Sequence, residues 1–117
     1  MDNVTMQILK SVNLALAFLL ELGMLAAYAY WGFNASSETV IRIVVGIGLP
    51  VLAATIWGIF LAPRSSRRLT RNPRVAAELA MYALAALALA AAAQPTLAVT
   101  FAVVVVINVT LLVIWKQ

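Results

Sequence analysis

Twelve formally charged side chains, eight basic and four acidic, are all that 117 residues carry, and three of them stand where charge is costly. Glu21 lies near the middle of an apolar run from Ile8 to Trp31. A carboxylate in hydrocarbon must face a protein interior or a watery cavity, so it marks by default a place for a proton, a cation or a ligand. Arg42 falls one turn inside the next apolar run. If these two runs form a helical hairpin, Glu21 and Arg42 differ in depth by about 9 Å, which two side chains reaching toward each other can span. At helical spacing Asn13, Ala17, Glu21, Met24 and Tyr28 share one face, and Arg42, Gly46, Leu49, Ala53 and Trp57 share another. Those faces are expected to pair beside a bend at Pro50, with Asn108 from the last run adding a polar group. Two readings follow. Glu21, Arg42, Asn13, Tyr28, Trp57 and Asn108 form a ligand-binding or proton-titrating site, or Glu21 and Arg42 are a structural ion pair that binds nothing.

The third costly charge is Glu78, four residues after Arg74. That spacing predicts a structural pair anchoring the basic segment to the helix that follows. Arg64, Arg67, Arg68, Arg71 and Arg74 crowd eleven residues, and the first four recur at i, i+3, i+4 and i+7. A short interfacial helix would place them on one face, suited to anionic lipid headgroups or phosphate.

Catalysis is hard to assemble from what remains. Histidine and cysteine are absent, so Ser65 and Ser66 have no activating base, no thiolate nucleophile exists and no metal-ligand cluster is in view. Glu21 and Glu78 are expected to differ in depth by about 12 Å, beyond the roughly 5–9.5 Å of paired glycosidase carboxylates. The expectation is a protein that is not an enzyme and needs no metal or cofactor. Net charge +4 does not imply nucleic acid, because most of the surplus sits in one short loop between apolar spans.

The elements that must position these groups are membrane helices. With 65% hydrophobic and 10% charged residues and a mean hydropathy of +1.03, the chain could not clothe a water-soluble surface, where about a quarter of residues are charged. Four apolar segments can each supply the roughly 20 residues that a bilayer core demands. The fold class is therefore all-α, a single four-helix transmembrane bundle over 1–117 made of two helical hairpins. The helices are expected at about 8–31, 38–62, 73–93 and 96–115, with the basic loop at 63–74. The first run is too long for a signal peptide and is expected to be retained. Gly32 to Ser37 should break it, Ser36 or Ser37 should cap the second helix, and Asn72 with Pro73 should open the third. Helix 3 is alanine-rich and suits close packing on more than one side, whereas the valine face of helix 4 suits lipid.

Orientation follows from the basic residues. With the arginine loop in the cytoplasm both termini are cytoplasmic, and seven basic residues lie inside against Arg42 outside. Alanine-rich faces on so small a bundle invite a homo-oligomer. Glu21-Leu22-Gly23-Met24 echoes Glu78-Leu79-Ala80-Met81, but alanine and leucine are too common here for the echo to establish duplication.

Asn13, the run Phe18 to Leu22, Gly32 after an aromatic residue, Pro50, the segment WGIFLAP from Trp57 to Pro63, Arg67-Arg68-Leu69 and Glu78 together resemble the YrdB-like family of small bacterial membrane proteins. The resemblance covers nearly the whole chain and implies a bacterial origin, an inner-membrane location and four helices, with no activity attached. A weaker similarity links the chain to small multidrug exporters, which share its length, helix count and a glutamate in helix 1. The one-sided charge distribution departs from their dual-topology members.

Overall fold

The computed structural model describes residues 2–62 and 64–117. Pro63, expected to close the second apolar run, lies outside the described residues. Helices α1 (Asn3–Asn34), α2 (Thr39–Phe60), α3 (Arg71–Ala91) and α4 (Pro95–Ile114) account for most of the chain, and each is long and apolar enough to cross a membrane.

α1 begins five residues before the expected start, because the Asp2 carboxylate caps it by accepting from the Thr5 N–H at 2.7 Å. At about 1.5 Å per residue its 32 residues span roughly 48 Å. It also runs on through Gly32, which was expected to end it. Gly32 is buried, and a Cβ built there would stand 2.8 Å from the Gly46 backbone. Gly46 in turn lies under the Phe33 ring. Two glycines thus let α1 and α2 approach backbone to backbone, the device that holds helices together where water supplies no driving force.

The start of α2 departs from expectation. Glu38 itself occupies the cap position, and Ser36 Oγ accepts from the Glu38 N–H at 3.0 Å instead of capping the helix proper. α2 continues through Pro50 to a C-cap at Leu61. The expected interfacial helix is absent among the described residues; the basic segment is a succession of turns. The reason lies in the carbonyls left open at the end of α2. Leu69 N–H donates to Phe60 O at 2.8 Å, Ser65 Oγ donates to Ile59 O, and Arg68 Nε donates to Leu61 O at 3.2 Å. Satisfying these acceptors folds the loop back on α2 and spends the backbone that a further helix would need. α3 then starts at Arg71 with Thr70 as N-cap, two residues before the Asn72 cap expected, and Pro73 falls in its first turn.

α3 and α4 are joined by a Schellman turn: Gln94 N–H donates to Leu89 O at 2.9 Å and Ala93 N–H to Ala90 O at 3.1 Å, which holds Ala93 at a φ of 62°. The same geometry ends α4, with Lys116 at a φ of 54°.

α1 is the hub. It packs against all three other helices, α3 pairs with α4, and α2 leans chiefly on α1. Leu20, Met24, Ala27 and Tyr28 of α1 meet Ala53 of α2, Tyr82 and Ala85 of α3, and Val105 and Val109 of α4. An aromatic row crosses the bundle: Trp57 and Tyr82 are edge to face with centroids 5.4 Å apart, and Tyr82 and Phe101 likewise at 5.9 Å. α3 contacts α1 and α4 while Leu79, Leu84 and Leu87 face outward, and α4 turns Val99, Val103 and Val106 outward. Gln117 reaches Lys10, and Arg71 reaches Val113. Both chain ends and the basic loop therefore lie at one end of the bundle.

Two substitutions test this packing through thermal unfolding in detergent. Gly32→Ala should destabilise by about 1–3 kcal/mol because the added methyl meets backbone, whereas Gly48→Ala, with nothing within 4 Å of its Cβ, should be neutral or stabilising. Ala93→Gly should stabilise by about 0.5–1 kcal/mol by relieving a left-handed alanine; a lowered midpoint would contradict the turn geometry.

Candidate functional site

A cavity of about 420 Å³ with a charged lining opens at the arginine-bearing end between α1, α3 and α4. Its charged lining is Glu21 of α1, Arg71, Arg74 and Glu78 of α3, and Arg68 of the loop. Leu14 and Ala17, Val75, and Val109, Leu112 and Val113 supply apolar walls from the same three helices. Gln117 closes the rim.

Each arginine is held by a backbone carbonyl. Arg68 Nε donates to Leu61 O at 3.2 Å, Arg71 Nη2 to Val113 O at 2.5 Å, and Arg74 Nη1 to Leu69 O at 3.4 Å. Leu61 and Val113 lie at the C-terminal ends of α2 and α4, where the helix dipole favours a cation. A guanidinium carries five N–H donors in a rigid fork. Each of the three is thus oriented by one carbonyl and keeps donors to spare.

Arg74 Nε stands 4.0 Å from Glu78 Oε1, with both side chains largely withdrawn from the surface. Among the described residues no cation lies within 4.0 Å of Glu21. Tyr82, one turn after Glu78 on α3, packs edge to face with Trp57 in the core beside this group.

Arg42 stands apart from this group. It is exposed, and its Nε donates to Phe33 O at 2.7 Å. Phe33 is twelve residues beyond Glu21 along α1, about 18 Å, so the expected Glu21–Arg42 pairing does not form. The cause is the extra length of α1, which carries the α1–α2 turn away from Glu21. The cleft accordingly lies between α1, α3 and α4, and Pro50 does not line it. The axial offset expected between the two glutamates is also corrected. Tyr28 donates its hydroxyl to Met81 O, and because helical side chains lean toward the N-terminus, Tyr28 sits above Met81. That register brings position 21 level with position 78.

Asn13 and Asn108 find each other. Asn108 Nδ2 donates to Asn13 Oδ1 at 2.8 Å and Asn13 O at 2.9 Å, while Asn13 Nδ2 donates to Gln117 Oε1 at 3.2 Å. Gln117 Nε2 donates to Lys10 O at 3.0 Å. This buried amide cluster ties α1 to the end of α4 and leaves Glu21 alone. Tyr28 is likewise occupied with the α3 backbone.

Of the expected polar group, then, Glu21 lines the cleft, where it is joined by Glu78, Arg68, Arg71 and Arg74. Arg64 and Arg67 are exposed on the loop outside the cleft. Tyr82 was not foreseen. Its one sequence signal is its place a turn after Glu78, on the same face. Chemically the cleft can cradle an oxyanion with its guanidiniums and hold a proton or cation on Glu21. Two carboxylates are short of a metal-binding set, and among the described residues no group of three or more acidic, histidine or cysteine side chains gathers. A second cavity of about 490 Å³, nearer the far end between α1, α3 and α4, is walled almost entirely by apolar groups such as Leu97 and Phe101 and lacks a charge to orient a ligand.

No curated protein and no solved structure matches the chain. Residues 15–106, from α1 into α4 and including every charged residue of the cleft, match a family described as a protein of unknown function, DUF2568. Because the match takes in most of the chain, this small four-helix protein belongs to the DUF2568 family.

Proposed function

We propose that the chain is a ligand-binding or transport-like protein of the bacterial inner membrane whose ligand occupies the Glu21 cleft. The observation that carries this reading is the cleft itself: charged groups of both signs meet apolar walls in a volume within the roughly 300–1,000 Å³ usual for small-molecule sites. Carbonyl-anchored guanidiniums are preorganised, so little side-chain entropy is lost when a ligand arrives. The resemblance to the YrdB-like family supports the bacterial inner membrane, and the positive-inside bias puts the basic loop and both termini in the cytoplasm. The cleft then opens to the cytoplasmic side. The role assigned to it on this reading is binding rather than catalysis. A second copy of the chain covers part of the outward alanine-rich surface of α3.

One observation favours a second reading. Arg64 and Arg67 are exposed beside the bundle end and suit anionic headgroups, each worth about 1 kcal/mol near a charged surface. On that reading the loop docks on lipid or a cytoplasmic partner and the cleft is structural.

Trp57 is a built-in reporter, since it packs on Tyr82, one turn after Glu78. In a Trp31→Phe/Trp115→Phe background in nonionic detergent, titration with hexylamine, hexanoate and 6-aminohexanoate should shift Trp57 emission. Glu21→Gln should weaken the response to an amine-bearing probe by about 10-fold or more while circular dichroism stays unchanged. If no probe moves Trp57, and Arg64→Ala/Arg67→Ala abolishes binding to vesicles containing phosphatidylglycerol, the second reading replaces the first.

A further inference from the structure

The charges in the cleft are separated along the bundle axis. Glu21 and Glu78 lie at the inner level, while Arg74 and Arg71 precede Glu78 by four and seven residues, about 6 and 10 Å toward the open end. Arg68 comes from the loop at that same end. Glu78 is already answered by Arg74, which leaves Glu21 as the inner charge without a cation and Arg68 and Arg71 as the outer charges without an acid. Between the two levels the wall is apolar, made by Ala17, Val109 and Leu112.

A ligand with only an anionic end would satisfy the arginines and bury its apolar remainder against a dehydrated carboxylate. A ligand with only a cationic end would answer Glu21 and strip water from guanidiniums left unpaired. Either mismatch is costly in a low-dielectric site. A molecule carrying both charges at the spacing of the cleft avoids both costs.

Resting on the reading of this cleft as a ligand site, we infer that its ligand is a small zwitterion, with a primary ammonium directed inward at Glu21 and a carboxylate or phosphate held by Arg68 and Arg71. The spacer between the charges is apolar and bridges an axial offset of about 10 Å, shortened by the reach of the side chains at either end. Glu21 is the specificity-determining residue for the amine, and the two arginines set the polarity of entry.

The three probes of the Trp57 titration share one spacer and differ only in their ends. 6-Aminohexanoate should bind at least about 10-fold more tightly than hexylamine or hexanoate. Glu21→Gln should abolish its advantage over hexanoate, and Arg71→Gln should abolish its advantage over hexylamine. 6-Aminohexyl phosphate in place of the carboxylate should show which oxyanion is preferred, and either preference supports the inference. Equal binding of hexylamine and 6-aminohexanoate by the unsubstituted site, or a preference for the zwitterion that survives Glu21→Gln, overturns the inference and leaves the cleft as a ligand site. Silence from every probe removes the cleft reading and this inference together. The ranking in the otherwise unaltered protein needs no variant in the cleft, so the outcome does not hinge on whether Arg71→Gln folds.

Discussion

A helix that ends in apolar surroundings leaves carbonyls without donors, and no loop can be placed there without providing them. In this chain the donors at the basic end are arginines. Arg68 serves the end of α2, Arg71 the end of α4 and Arg74 the loop between, while Leu69 N–H and Ser65 Oγ complete the closure of α2. The same bonds that terminate the helices fix where three positive charges stand. A loop that reads as a topology signal is thereby also a wall of the cleft, and its shape is dictated by acceptors on its neighbours rather than by its own helical periodicity.

The second organising feature is the central place of α1. A 32-residue helix that contacts every other element imposes its register on all of them. The Gly32–Gly46 contact sets α2 against it at the far end. The Tyr28 hydroxyl sets α3, and the Asn13–Asn108 amides set α4. These polar ties are few, and each is buried where an unmade hydrogen bond would be costly, so each specifies alignment more strongly than the surrounding aliphatic contacts, which tolerate sliding. Glu21 comes level with Glu78 as a result of the Tyr28 alignment.

The aromatic row of Trp57, Tyr82 and Phe101 connects α2, α3 and α4 across the bundle just beyond the carboxylates. Val109, in the same core as Tyr82, and Val75, packed against that core, also line the cleft. Packing and site are therefore built from the same side chains, and the bulk that fills the core also positions the groups that face the cleft.

Composition and local periodicity were enough to determine four apolar helices, the gathering of positive charge in one loop, the Arg74–Glu78 spacing and the need for Glu21 to turn inward. Hydropathy and i, i+4 spacing are properties of contiguous residues, and they survive whatever the helices later pack against. What Glu21 would meet was decided only in three dimensions. Arg42 looked near enough until α1 proved to run on to Asn34, and Glu78 looked too distant until Tyr28 met Met81. Axial offset between helices is the sum of where each begins and which side chains interlock, so a shift of a few residues at one cap moves a charge by a whole turn and changes its partner. No local pattern in the chain records that sum.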